Sequence, residues 1–247
     1  MELKLYRPLK PALNYPDNYY HRTNGGNPPS VVGQFFGENK ACRKPDGEIF
    51  STWDSQCPVG STSVYAEFEL LGHNGKDIAC RRGDPIFASH AGVISRVEGD
   101  KNSGYGVRVI SNENYTIEGK QGRVETAYWH LLPLPVVKLG KFVEIGELIG
   151  FADSTGYSSG DHLHFGLKLK SADGITNLFQ NNGYLGAIGS LLYIVERDAR
   201  DVWDEKHGLK ASLIVDLIIL YYQMIAYMRF WGQPVDFTDE ILKQFQK

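Results

Sequence analysis

Between Gly72 and Leu169 the sequence never runs far without a turn residue, and this punctuation constrains the fold more than any other feature. Short apolar or alternating runs recur between Gly, Asp and Asn: Asp77–Cys80, Pro85–Ala88, Gly92–Glu98, Tyr105–Ser111, Arg123–His130, Phe142–Val143, Glu147–Ala152 and His162–Leu169. Runs this short suit strands rather than helices. Their spacing predicts a mostly β body, an antiparallel sheet sandwich or a partly open barrel. The chain holds 27 glycines in 247 residues, which fits many tight turns. With 26 basic and 29 acidic residues and 12% aromatics, the composition excludes a disordered, collagenous or coiled-coil chain. A net charge of -3 gives no support to a general nucleic-acid binder.

The flanks differ from this body. Residues 1–30 are polar and rich in Pro, Asn and Tyr and read as an arm, without the apolar core of a signal peptide. Residues 30–36 read as a short strand, and residues 37–62 as an irregular insertion within a body spanning 31–190. Cys42 and Cys57 bracket part of that insertion and could pair as a staple, whereas Cys80 reads as a small buried hydrophobe. Three cysteines cannot build a four-cysteine zinc ribbon. Residues 191–247 read as a helical extension. Helical spacing predicts one helix over 191–206, ended by Gly208, a second over 211–230, and a short third over 239–245 behind the cap Thr238. Asp216 and Gln223 break the apolar stretch 211–230 into runs well short of a membrane span. A buried or partner-facing helix is the expectation there. Contact with a membrane or with another protein, including a second copy, is the alternative, and the oligomeric state stays open.

Seven histidines are present, and four fall in small clusters. His162 and His164 are two apart in a strand-like run, so both imidazoles share one face. His73 and Asp77 are four apart; Gly75 argues against a helix, so a turn delivering His73 to a strand that starts near Asp77 is expected. His130 ends a strand-like run, and period two puts Tyr128 on its face. Neutral imidazole and carboxylate are ordinary zinc ligands. His21, His90 and His207 have no such companion in sequence.

Taken together, these residues resemble the lysostaphin-like or LytM-like zinc metallopeptidases of peptidase family M23, which cleave peptidoglycan. The resemblance rests on His73 with Asp77, on Tyr128-Trp129-His130-Leu131, and on His162-Leu163-His164-Phe165. It also rests on the glycine scaffold: 83–88 leading into Gly92, the ladder Gly140, Gly146 and Gly150, and Thr155–Gly160 running into His162. Residues 31–170 carry it. Lys76, Asp84, Asp153 and Asp161 depart from the usual types without removing a ligand, and Lys76 and Asp161 are expected at the groove rim.

The resemblance implies one Zn²⁺ held by His73, Asp77 and His164, and proton handling by His130 and His162, whose division of labour stays open. Spacing alone also permits His162 and His164 both to reach the metal. Tyr128 either contacts an oxyanion or packs. Tyr105 and the 153–161 loop, with Ser158 and Ser159, are candidates for the groove walls. The implied activity is endopeptidase cleavage of stem or cross-bridge peptides of peptidoglycan, at the cell wall outside the cytoplasm. Residues 181–188 resemble the closing segment of some phage-associated members, which adds a virion as a setting. The alternative is a non-catalytic peptidoglycan-binding or regulatory module.

Overall fold

The structure, a computed structural model, describes residues 2–9, 33–52, 54, 56–102, 104–158 and 160–230. Most of the N-terminal arm, Ser159 and the third helix expected over 239–245 lie outside the described residues.

The strands in chain order are β1 (Leu5–Arg7), β2 (Ala41–Arg43), β3 (Ile49–Ser51), β4 (Thr62–Ser63), β5 (Lys76–Ala79), β6 (Pro85–Phe87), β7 (Gly92–Asp100), β8 (Gly104–Ile117), β9 (Lys120–Leu131), β10 (Phe142–Val143), β11 (Leu148–Phe151), β12 (His162–Lys170), β13 (Ala187–Ile188) and β14 (Ile194–Asp198). One helix, α1 (Ala199–Phe230), follows. Seven strands form the main sheet in the order β10-β7-β8-β9-β12-β13, with β5 on the β13 side of β12. Every pair in it is antiparallel. A β6–β11 pair packs beneath it, and the sheets do not close into a barrel.

β12 shows why the chain folds this way. Its alternate residues Leu163, Phe165, Leu167 and Leu169 are wholly buried in the core, each worth about 1.5–3 kcal/mol of apolar burial. A one-residue slip would expose all four and turn the histidines inward, so the register is firmly set.

Two expectations change. The 37–62 segment is not irregular: β2, β3 and β4 form a small sheet there, and Cys42 and Cys57 are disulfide-bonded across it. Residues 191–206 are not one helix. Leu191–Tyr193 is a 3₁₀ turn, and β14 pairs in parallel with β1. Pairing with a strand nearly two hundred residues away overrides local helical spacing. Gly208, with φ +78° and ψ +173°, kinks α1. Tyr222, Ile225 and Ala199 pack α1 onto Phe87, Leu148 and Phe151. Leu209, Leu213, Leu217, Leu220 and Met224 face outward. By length and composition the stretch Ala199–Ala226, with a window of mean hydropathy 1.6, could cross a membrane.

Candidate metal centre

The β5–β12 ladder builds the first part of the site. Asp77 lies directly opposite His164 in an antiparallel register, so both side chains emerge on the same face. His73 sits in the turn just before β5. Segment 33–39 holds that turn: the Gly37 amide donates to His73 O at 2.8 Å, the His73 amide to Glu38 O at 2.9 Å, and the Asp77 amide to Gln34 O at 2.9 Å. Gly75 is required by close approach. A Cβ there would fall 2.5 Å from His164 Nε2 and 2.9 Å from Phe165 O.

The three candidate ligand atoms converge. His73 Nε2 is 2.9 Å from His164 Nδ1 and 3.1 Å from Asp77 Oδ1, which is 3.3 Å from His164 Nδ1. His73 and Asp77 are buried. His73 Nδ1 lies 3.3 Å from Phe35 O; donating there leaves the Nε2 lone pair for the shared space. Asp77 Oδ1 is buried without a hydrogen-bond donor of acceptable geometry. Burial opposes ionisation of Asp77, yet the surrounding imidazoles, His73 first and His162 next, hold its carboxyl well below the usual range. Burial likewise lowers the pKa of His164 and favours the neutral, metal-binding imidazole. A buried carboxylate and two imidazoles aimed at one point fit a divalent cation of the zinc type.

His162 and His130 stand beside this trio. His162 Nδ1 donates to Gly160 O at 2.8 Å, and its Nε2 is 3.5 Å from Asp77 Oδ1. The His130 and His162 rings are 4.5 Å apart. His130 reaches the cleft by an exception to strand geometry. Between the pairs Tyr105↔Leu131 and Val107↔Tyr128, β8 advances two residues while β9 advances three. This is a β-bulge, and His130 within it has φ +63°. Alternation would put His130 on the core face with Tyr128. The bulge turns it to the cleft and returns Leu131 to the core. A left-handed non-glycine residue costs about 1–3 kcal/mol and persists only when its surroundings hold it. Thr155 supplies that hold: its carbonyl accepts from His130 Nδ1 at 2.6 Å, and its Oγ1 accepts from the Tyr105 amide at 3.0 Å and donates to Leu131 O at 2.9 Å. Burial, then the neighbouring His162 and His164, lowers the His130 pKa to about 3, which leaves Nε2 as a free acceptor.

Several expected residues stand elsewhere. Tyr128 is wholly buried in the core, and its hydroxyl accepts from the Ser89 amide at 2.8 Å. It therefore packs and is not placed to touch an oxyanion; the bulge is why period two misplaces it. Tyr105 packs against the core rather than lining the cleft. The Ser158 hydroxyl bonds Gly160 O at 2.8 Å and lies 3.2 Å from His162 Nδ1, which steadies the imidazole. Ser159 lies outside the described residues. Lys76 is not at the rim but buried, its ammonium 3.8 Å from the Phe35 ring centroid. Asp161 is partly exposed beside Arg82.

The cleft has a volume of about 460 Å³. Tyr157, from the 153–161 loop expected there, lines it, and Tyr65, Phe68, Asn102, Trp129 and Leu185 contribute walls that were not expected. The Tyr65 ring lies tilted against His73, centroids 5.7 Å apart, and burial raises its phenol pKa. The Phe68 and Tyr157 rings meet edge-on at 5.8 Å, joining the small sheet's side to the 153–161 loop.

Residues 71–175 match the model of peptidase family M23. The matched segment, under half of the chain, carries the His73, Asp77 and His164 cluster. Among particular proteins, the DD-carboxypeptidase/endopeptidase Mpg of Neisseria meningitidis is 42% identical over 93 residues, 38% of this chain and 19% of that protein. The peptidoglycan DD-endopeptidase ShyA of Vibrio cholerae is 33% identical over 95 residues, 38% of this chain and 20% of its own. The chain thus spans about a fifth of the length of these curated relatives. The catalytic domain of lysostaphin from Staphylococcus simulans is 28% identical, with a TM-score of 0.39, covering 49% of this chain and 78% of that one.

Proposed function

We propose that the protein is a zinc-dependent endopeptidase that hydrolyses peptide bonds in bacterial peptidoglycan, acting at the cell wall or from a virion. The observation that carries this reading is the convergence of His73, Asp77 and His164 within 4.8 Å, at the floor of a cleft that His130 and His162 also line. The names of the M23 relatives supply the substrate class.

Zinc held there would lower the pKa of a water and polarise the scissile carbonyl. The chain's own groups do the rest. His130 and His162 each present Nε2 to the cleft because Nδ1 is committed to a backbone carbonyl. One accepts the proton from the attacking water; the other donates a hydrogen bond to the developing oxyanion or a proton to the leaving amine. Tyr65, Phe68 and Trp129 exclude solvent around an extended peptide.

The test is metal analysis of the purified chain, followed by incubation with isolated cell walls with and without a chelator. One zinc per chain and chelator-sensitive release of new amino groups is the expected result. Wall binding without product release would leave a non-catalytic binding module in its place.

A further inference from the structure

The face of β12 that carries His162 and His164 continues beyond the cleft. Alternation sets His162, His164, Gly166, Lys168 and Lys170 on it, opposite the buried leucines and Phe165. Register extends the same face across the sheet. Lys168 stands opposite Glu125, Gly166 opposite Ala127, Ala127 opposite Arg108, and Arg108 opposite Arg96. Four cations thus gather around two carboxylates, Glu98 and Glu125.

Those carboxylates are already engaged. Glu98 pairs with Arg96 and, at 3.6 Å, with Arg108. Glu125 lies 3.5 Å from Arg108 and 4.0 Å from Lys170, and accepts from Ser95 Oγ at 3.2 Å. Lys168 is left over: among the described residues its ammonium makes no hydrogen bond or ion pair. Burial, then Arg108, lowers its pKa to about 8, and Glu125, shared with Arg108 and Lys170, offsets only part of that. Between this ammonium and the metal ligands the floor is made of small residues, Gly166 and Ala127, beside Trp129, whose ring lies 5.3 Å from the Arg108 guanidinium. His164 and Lys168 are four residues apart, about 13 Å at strand rise, the span of about four residues of extended peptide.

We propose that Lys168, flanked by Arg108 and Arg96, is a carboxylate-binding subsite that selects peptides bearing a free carboxylate about three to four residues from the cleaved bond. It rests on the endopeptidase reading for where the bond is cut; the anion site itself does not.

The test uses the full chain carrying His130→Ala, so that a peptide binds without being cut. Calorimetry compares two synthetic cross-linked stem peptides, one ending in a free α-carboxylate and one in a carboxamide. The carboxylate form is expected to bind about tenfold more tightly, the size of one charge-assisted contact. Adding Lys168→Met should erase that preference and Lys168→Arg should keep most of it, with unchanged thermal midpoints showing that both variants fold. Equal binding of the two peptides, binding of neither, or a preference surviving Lys168→Met overturns the subsite. So does displacement by inorganic phosphate at lower concentration than acetate, which would make it a phosphate site. Hydrolysis of the same peptides by the unsubstituted chain reads the enzyme proposal separately: a carboxylate preference without hydrolysis keeps the subsite and removes the hydrolase.

Discussion

The metal ligands and His130 face the same cleft but are held in opposite ways. Asp77 and His164 sit at regular positions of an antiparallel ladder, each placed by the register that buries the core side of β12. His130 sits where the ladder is broken, in a left-handed conformation inside a bulge. Ladder positions are held by every hydrogen bond along the strand pair. A bulge is held by whatever local groups close it, and here that is Thr155. The ligand set should therefore fail only when a ligand or its space is changed, whereas His130 should fail from a distance.

The largest effect breaks the ladder side. Asp77→Ala removes the anionic ligand, and both bound metal and hydrolysis should be lost, as metal analysis beside a cell-wall assay would show. Next comes His130→Ala, which should keep a full complement of metal while kcat falls about 10²–10⁴-fold, the usual worth of a positioned acid or base. A His130 variant that also lost its metal would erase the distinction between the two regions. Third is Gly75→Ala. The added methyl would press on the His164 ring and on Phe165 O, so zinc affinity measured by competition with a chelator should fall about 10–100-fold, and the thermal midpoint of the metal-free protein should fall as well.

The same contrast explains what the sequence makes legible. All eight runs between Asp77 and Leu169 are strands, because period two and glycine turns are local signals, although β8 runs on six residues past the expected Ser111. His162 and His164 share a face for the same reason. The bulge is invisible to period two, so the sequence leaves Tyr128 open between cleft and packing, and its place is the core. β14 is missed because its partner β1 is distant in sequence, and Tyr65 and Phe68 because they lie in a short 3₁₀ turn whose position depends on the small disulfide-bonded sheet. Lys168 illustrates the middle case: its face follows from His164 by counting twos, but the excess of cations over carboxylates around it emerges only when Arg96, Arg108 and Glu125 are brought in from three other strands.

The smallest effect sharpens the comparison most, because it alters His130 without touching it. Thr155→Val keeps the β-branched shape and the carbonyl that receives His130 Nδ1, but removes the hydroxyl that bridges the Tyr105 amide and Leu131 O across the bulge. Two hydrogen bonds of about 1 kcal/mol each are lost, and the partly buried Tyr105 amide is left without its Thr155 partner. The imidazole then samples orientations in which Nε2 no longer faces the cleft, so kcat should fall about tenfold with zinc affinity unchanged and KM little affected. Thr155→Ser, which restores the hydroxyl, should recover most of the rate. A purely structural role for Thr155 would instead lower stability in both variants while leaving kcat per folded molecule intact. Active-site titration with a tight metal-directed inhibitor separates the two outcomes.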